Sequence, residues 1–262
     1  MKNKTIALKL IASVIITLFI TNLLGGCSQE KRKPNILLII TDQQHSRMMS
    51  CAGNTYLETP ALDKLAGRGT RFKLAYSPNP VCLPSRTSMM TGHFPSSFGF
   101  ENNGDGKYAK IPENVLQNTL GKLMRNAGYE TVYGGKTHWA KGLNHKTCGF
   151  KELTHDSRDE LAEACKGYFE NVPDKPFLMV ASFINPHDIC YVEIDATIEG
   201  YDLPPFAPKA LTERKKIEEA KRLAEKAKSE GTFDKLCPPL AKNHEITKNA
   251  PSVLYGANAQ IA

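Results

Sequence analysis

The sequence predicts an α/β fold in which helices cover both faces of a sheet. Three short apolar segments, residues 35–41, 129–133 and 176–184, have the length and composition of buried strands. Helical patterns alternate with them, and each apolar segment runs into polar residues at its carboxyl end. Because ligands of open α/β sheets bind outside that edge, these polar residues are the first candidates for a functional site.

The first strand, residues 35–41, reads as a strand buried on both faces, and it ends in polar residues beginning with Asp42. Thr59 and Pro60 suit the N-cap and first position of a helix, which we expect to stop at Gly67. A further strand is expected over residues 72–76.

The remaining elements follow the same alternation. The pattern predicts a helix over 116–127, a strand over 129–133, a helix over 159–169 and a strand over 176–184. The two strands run into Gly-Gly-Lys-Thr-His at 134–138 and Asn-Pro-His-Asp at 185–188. A last segment, 209–230, is dense in charge with small apolar residues at helical spacing, which predicts a solvated helix with a narrow docking stripe.

Composition indicates a globular protein. The 262 residues are 41% apolar and 23% charged, and the formal net charge is +7. Three of the lysines, Lys2, Lys4 and Lys9, belong to an acid-free amino terminus, and without them the charge falls to +4. That remainder is weak evidence for a polyanion, and we expect no nucleic-acid partner.

The amino terminus has the features of an export signal. A basic start, a short apolar run and small residues before Cys27 predict a lipoprotein signal peptide over 1–26 and lipidation of Cys27. Residues 27–34 would form a tether, and the protein would be an exported bacterial lipoprotein, anchored to a membrane on its periplasmic or cell-surface side. A plain signal peptide or an anchoring helix stays open as the alternative.

The seven cysteines are irregularly spaced, contain no C-x-x-C pair and therefore show neither a disulfide framework nor a zinc-knuckle signature. Cys82 differs from the others in its surroundings. It lies just ahead of a predicted helix start, with Pro84 suited to the first turn and Arg86 about one turn on. A helix N-terminus and an arginine fork favour an anion such as sulfate, phosphate or carboxylate, although a buried structural cysteine stays open.

Several motifs resemble the sulfatase family. Residues 82–86 read C-L-P-S-R and are followed by Thr-Gly at 91–92, which resembles the family's C-x-P-S-R signature. Residues 135–138 resemble its G-K-x-H element, and residues 33–42 resemble its first strand with a metal-binding Asp. Residues 59–69, 127–129 and 185–187 are typical of the family too, so six elements occur in order over 33–188.

The resemblance implies an alkaline-phosphatase-like three-layer α/β/α sandwich with a mostly parallel mixed sheet. It also implies hydrolysis of sulfate monoesters, with a sulfated carbohydrate or an aryl sulfate as substrate. Cys82 would be converted to formylglycine by a formylglycine-generating enzyme and would supply the nucleophile. Arg86 and Lys136 would hold the modified side chain and the sulfate oxygens, and His138 would orient that side chain. His187 would contact the sulfate or protonate the leaving oxygen.

The family also implies a calcium ion. Asp42, Gln43 and the modified Cys82 would be its ligands, since a hard cation prefers oxygen. Many members have a second Asp where this chain has Gln43, whose amide oxygen can still ligate but carries no charge.

The resemblance covers only the amino-terminal part of the family's catalytic domain. Between 190 and 262 no D-N-G or D-H-G element completes the metal site, so we expect residues 35–262 to be an incomplete, truncated catalytic domain that is inactive alone. Two other functions stay open: a phosphonate or phosphate ester hydrolase of the alkaline-phosphatase superfamily, and a non-catalytic lipoprotein that binds sulfated glycans.

Overall fold

Four strands form one sheet in which every described pairing is parallel. In a computed structural model of the chain, residues 33–189 and 207–239 are described. The strands are β1 (Ile36–Asp42), β2 (Glu130–Gly135), β3 (Lys151–Thr154) and β4 (Phe177–Pro186). Their order across the sheet is β1-β4-β2-β3, so β4, the last strand in sequence, lies between β1 and β2.

Eight α-helices and several short 3₁₀ turns are described around this sheet. The helices are α1 (Pro60–Arg68), α2 (Cys82–Thr91), α3 (Glu113–Gln117), α4 (Leu120–Asn126), α5 (His145–Cys148), α6 (Leu161–Glu170), α7 (Ala207–Ser229) and α8 (Phe233–Leu236). The 3₁₀ turns are Ser50–Ala52, Pro95–Phe98, Asp105–Tyr108 and His187–Ile189.

The core consists of two layers, one on each face of the sheet. Leu178 and Val180 of β4 pack on one face in a cluster that includes Met90 of α2. Phe177 and Met179 lie on the opposite face with Leu161 of α6. Successive residues of β4 are therefore buried on alternate faces, which explains why its sequence is continuously apolar. Helices on both faces confirm the predicted α/β/α sandwich.

Strand β1 differs from the expectation that it is buried on both faces. It pairs with β4 alone among the described strands, and Leu37 and Ile39 are 45% and 50% exposed. A strand at the sheet edge has a neighbour on one side only, so fewer side chains cover it.

Two predicted helix boundaries were wrong for local reasons. Helix α1 continues through Gly67 to Arg68, because one exposed glycine inside a helix costs only about 1 kcal/mol. The single helix expected over 116–127 is two helices, α3 and α4. They are separated at Thr119, whose buried hydroxyl donates to the Thr147 carbonyl at 2.9 Å.

The strand expected over residues 72–76 was also wrong. This segment has no regular structure, and Phe72, Leu74 and Tyr76 are each more than three-quarters exposed. Period-2 apolar spacing makes a strand only where a partner supplies hydrogen bonds, and no described strand lies alongside. Strand β3 and helix α5 were not predicted, because four-residue elements carry little periodicity.

The charged helix is present as α7. Of its described side chains Ala227 is buried, Ala224 is half-buried and Ala220 is exposed, so the docking stripe is shorter than expected. Within the described part of the chain, no helix has both the length and the apolar content needed to cross a membrane. The predicted signal peptide, the Cys27 lipidation site and most of the tether lie outside the described residues.

Candidate active site

Three polar residues meet at the carboxyl edge of the sheet because the strands are parallel. Asp42 is the last residue of β1, Lys136 follows β2, and His187 follows β4. The sequence predicted each of them at a strand end, and the sheet order places all three strands side by side.

Arg86 connects these strand ends. Its guanidinium is 3% exposed and reaches them from the second turn of α2. Nη2 donates to Asp42 Oδ2 at 3.0 Å, while Nη1 donates to the Lys136 carbonyl at 2.8 Å and to Ser182 Oγ at 2.5 Å. Since one planar group contacts β1, β4 and the end of β2, Arg86 is held in a fixed orientation.

The Lys136 backbone is also held by several hydrogen bonds. Its carbonyl also accepts hydrogen bonds from Tyr133 Oη and Ser182 Oγ, each at 2.8 Å, and its amide donates to the Ser182 carbonyl at 2.8 Å. The side chain then turns to Asp42, where Nζ lies 2.8 Å from Oδ2.

Asp42 carries the negative charge between these two cations. Burial acts to raise its pKa, but the hydrogen bonds and charges of Lys136 and Arg86 outweigh that effect and leave the pKa below its ordinary value. Asp42 is therefore a carboxylate at neutral pH. Both contacts use Oδ2, and among the described residues no hydrogen bond or ion pair is made by Oδ1.

Cys82 is the first residue of α2, one position closer to the helix than expected. Its Sγ lies with a carboxylate oxygen of Asp42 and a ring nitrogen of His187, all within 4.8 Å of one another. Asn103 holds this end of the helix: its Oδ1 accepts from the Leu83 amide at 3.0 Å and its Nδ2 lies 3.5 Å from Sγ.

His187 is supported by a buried ion pair. Its Nδ1 lies 3.4 Å from Oδ1 of Asp188, a residue only 4% exposed. Arg158 holds the same carboxylate with two hydrogen bonds, Nε to Oδ2 at 2.8 Å and Nη2 to Oδ1 at 3.2 Å. His187 and Arg158 act against burial to lower the pKa of Asp188, so it is ionised. A fixed carboxylate beside Nδ1 limits rotation of the imidazole.

His138 lies close enough to the other charged residues for them to affect its titration. Partial burial and the positive charges of Lys136 and Arg86 lower its pKa, while Asp42 acts in the opposite direction. Its backbone has φ of 41°, a left-handed conformation that is uncommon for residues other than glycine, although asparagine, aspartate and histidine adopt it more often than the rest.

Gln43 shares a cavity with the residues at the strand ends. The cavity encloses about 370 Å³ and is lined by Asp42, Gln43, Cys82 and Arg86, among others. Gln43 is exposed and has φ of 60°. Four of the predicted site residues therefore line one cavity, and Lys136 contacts its wall through Asp42.

The sequence analysis missed several supporting residues, among them Ser182, Asp188, Asn103 and Arg158. Ser182 carried a usable signal, since it interrupts an apolar strand with a hydroxyl. Asp188 could have been noticed as the neighbour of His187. Asn103 had no signal, because it lies 21 residues from Cys82 in a polar loop and only the fold brings the two together.

These features define a three-layer α/β protein whose sheet edge brings together a cysteine, a histidine and an aspartate paired with two cations. The chain belongs to the sulfatase family, whose model, described as Sulfatase, matches residues 34–229. The fold is the alkaline-phosphatase-like sandwich expected for this family, and the parallel sheet with helices on both faces confirms it.

The chain is similar to several enzymes that act on sulfated carbohydrates. It is 35% identical over 181 residues to the Delta 4,5-hexuronate-2-O-sulfatase of Bacteroides thetaiotaomicron, covering 64% of this chain and 37% of that protein. It is 34% identical over 228 residues to the ulvan-active sulfatase of Formosa agariphila, covering 71% and 43%. The solved structure of a 2-O GAG sulfatase superposes with a TM-score of 0.51 at 30% identity, over 66% of this chain and 39% of the other. The chain thus spans less than half the length of these relatives.

Proposed function

We propose that this protein hydrolyses sulfate monoesters on a sulfated carbohydrate. The observation that carries the proposal is the convergence of Cys82, Asp42 and His187 within 4.8 Å at the sheet edge where Arg86 and Lys136 also lie. The relatives named above supply the substrate class, since one acts on a hexuronate and another on ulvan.

The positive side chains would bind the sulfate group. The sulfur of a sulfate ester is surrounded by negative oxygens, so a nucleophile approaches it only if that charge is neutralised. Arg86 and Lys136 are fixed before substrate arrives, because both are anchored to Asp42 and Arg86 is also anchored to Ser182. Preorganised cations lose little free energy to reorganisation during the reaction.

Cys82 has the surroundings that a formylglycine precursor would need. It lies at the start of α2 and lines the cavity, with Asn103 on one side and His187 on the other. When hydrated, formylglycine supplies a hydroxyl that attacks sulfur and a second one that expels the sulfate. His138 would orient the modified side chain, and His187, held by Asp188, would contact the sulfate or give a proton to the leaving oxygen.

Calcium is the metal that the family implies, and the described residues fit it only in part. Asp42 and Gln43 offer oxygen ligands beside Cys82, but Ca²⁺ takes six to eight of them. We propose that Asp42 and Gln43 contribute two of the oxygen ligands of a calcium site.

We further propose that the protein is an exported lipoprotein attached to a membrane through Cys27, after removal of residues 1–26. The basic start and the small residues before Cys27 support this. A formylglycine-generating enzyme would then be its modifying partner. Export would bring the site into contact with extracellular sulfated glycans.

The experiment is hydrolysis of an aryl sulfate and of sulfated disaccharides by these 262 residues and, since we expect them to be inactive alone, by a longer polypeptide that contains them, each expressed with a formylglycine-generating enzyme. Mass spectrometry of the peptide containing Cys82 should show the aldehyde in place of the thiol, and Cys82→Ala should abolish turnover. Cys51→Ala, a matched change at a half-buried cysteine outside the cavity, should leave turnover unchanged. Arg86→Lys should lower kcat/KM by about 10²-fold or more, because the charge is kept but the fork is lost.

Two results would contradict the proposal. Faster hydrolysis of the matched phosphate ester would indicate the phosphatase branch of the superfamily. An unmodified Cys82 together with glycan binding and no turnover would indicate a non-catalytic binder.

A further inference from the structure

We propose that the unmodified polypeptide, in which Cys82 is still a thiol, binds a zinc ion through Cys82 Sγ, His187 and Asp42. This site goes beyond the proposed reaction. The thiolate is one of its ligands, so zinc binding and conversion of Cys82 to formylglycine exclude each other.

The donor set suits zinc better than calcium. One sulfur, one imidazole nitrogen and one carboxylate oxygen lie within 4.8 Å of one another, contributed by α2, by the residue after β4 and by the end of β1. Thiolate and imidazole are ligands that Zn²⁺ prefers, whereas Ca²⁺ prefers oxygen. In a tetrahedral zinc site ligand atoms lie about 3.3 to 3.8 Å apart. Closing the present cluster to that size requires side-chain movements of the order of 1 Å.

The surroundings of His187 resemble those of a metal ligand. A metal-bound histidine usually donates its second ring N–H to a carboxylate, which fixes the tautomer. Here Nδ1 lies 3.4 Å from Asp188, and Arg158 holds that carboxylate from the other side. An Nδ1–H donated to Asp188 gives the tautomer in which Nε2 carries the lone pair.

Two further observations concern the other two proposed ligands, Cys82 and Asp42. Sγ of Cys82 belongs to the first residue of the ten-residue helix α2, and Asn103 Nδ2 lies 3.5 Å from it. Asp42 meets both of its cations through Oδ2, and among the described residues no contact of Oδ1 opposes its approach to a metal. Binding releases one proton, from the thiol to solvent, as the S–Zn bond forms.

Lys136 and Arg86 oppose this site, because their charges repel a dication. Because both cations compete with the metal for Asp42, removing one of them should affect binding at this site but not at an adventitious site elsewhere. Removing the lysine charge with Lys136→Met should tighten metal binding by about tenfold, whereas a distant site would not respond.

The test uses Co²⁺ as a spectroscopic probe. The full chain, made in a host without a formylglycine-generating enzyme and kept reduced, is titrated with Co²⁺. We expect a near-ultraviolet sulfur-to-cobalt charge-transfer band at one equivalent, and Zn²⁺ should remove it because zinc binds such sites more tightly. Cys82→Ser should abolish the band, and Asp188→Asn should weaken binding by about 10- to 100-fold. Cys51→Ser is the matched control and should retain the band.

Three outcomes would overturn the inference: no charge-transfer band in the wild-type chain, an unchanged band in Cys82→Ser, or unchanged or weaker binding in Lys136→Met. Circular dichroism of each variant verifies that a lost band does not come from unfolding. None of these readouts depends on sulfatase activity, so failure of the proposed function would leave the result interpretable.

Discussion

Asp42 is the residue on which the charges of the site depend. It is 8% exposed and balances Arg86, which is 3% exposed, as well as Lys136. Removing one partner of a buried ion pair leaves an uncompensated charge, and this costs more than the pair contributes. The site is therefore also a structural element that joins β1 to α2.

We expect Asp42→Asn to lower the free energy of unfolding by about 3 kcal/mol at pH 7, because the buried Arg86 loses its counter-charge. Lys136→Met should cost less, since Arg86 keeps its partner. Because the pKa of Asp42 is lowered in the folded protein, its contribution is present above the ordinary value of 3.8 and is lost as the pH falls through the folded pKa. Urea unfolding at pH 7 and pH 3 measures both effects. If the difference in the free energy of unfolding between wild type and Asp42→Asn is as large at pH 3 as at pH 7, this explanation is wrong.

His138 should make the protein sensitive to mild acid. Its pKa is lowered from 6.5 in the folded protein, so the unfolded chain binds a proton first and stability falls as the pH drops below 6.5. The variant His138→Asn, which tolerates the positive φ, should lose less stability between pH 7.5 and pH 5.5 than the wild type does. His155→Asn, at an exposed histidine, serves as the control and should behave as wild type. Equal acid sensitivity in His138→Asn and wild type would argue against this role.

At the scale of elements, the junction of β2 and β4 positions Lys136. Gly135 has φ of 89°, and a Cβ there would collide with the Ser182 backbone carbonyl. The close approach allows the Lys136 amide to bond Ser182, and it fixes where the lysine leaves the sheet.

The variant Gly135→Ala should therefore destabilise the protein by about 3 kcal/mol or more, from the left-handed conformation and the collision together. Gly142→Ala is the matched control: its φ is 96° but a Cβ would meet nothing within 4 Å. That change should cost only about 1 to 2 kcal/mol. Thermal unfolding of both variants measures the difference, and equal losses would show that the collision is relieved by backbone movement.

At the scale of the whole molecule, the sheet is asymmetric. Strand β4 is buried on both faces, whereas β1, which is at the edge among the described strands, exposes apolar side chains. An exposed apolar edge strand promotes pairing with another chain.

We expect Ile39→Lys to reduce self-association, because a charge on an edge strand disfavours strand pairing between molecules. Its cost in stability should stay under about 1 kcal/mol, since Ile39 is 50% exposed. The matched change Met179→Lys, at a fully buried position of β4, should prevent folding. Light scattering against concentration, combined with urea unfolding, tests the pair. If Ile39→Lys self-associates as strongly as the wild type does, the surface that mediates self-association is not strand β1.

Much of this molecule was predictable from local sequence. The apolar runs located β1, β2 and β4, and the polar residues that follow them located Asp42, Lys136 and His187, because strand burial and strand ends leave direct traces in composition. The family motifs added Cys82 and Arg86. The exposed segment 72–76 and the break at Thr119 were not predictable, since both depend on whether a distant partner is present.

The sequence by itself determined the fold class and the candidate site residues, because periodicity and motif spacing are local properties of a chain. Only the tertiary structure decided how those residues meet. The order β1-β4-β2-β3 places Asp42 beside both cations, and long-range contacts bring Asn103 to Cys82 and Arg158 to the Asp188–His187 pair. The residues in these two contacts are 21 and 30 positions apart in the sequence, and no local pattern encodes a pairing at that distance.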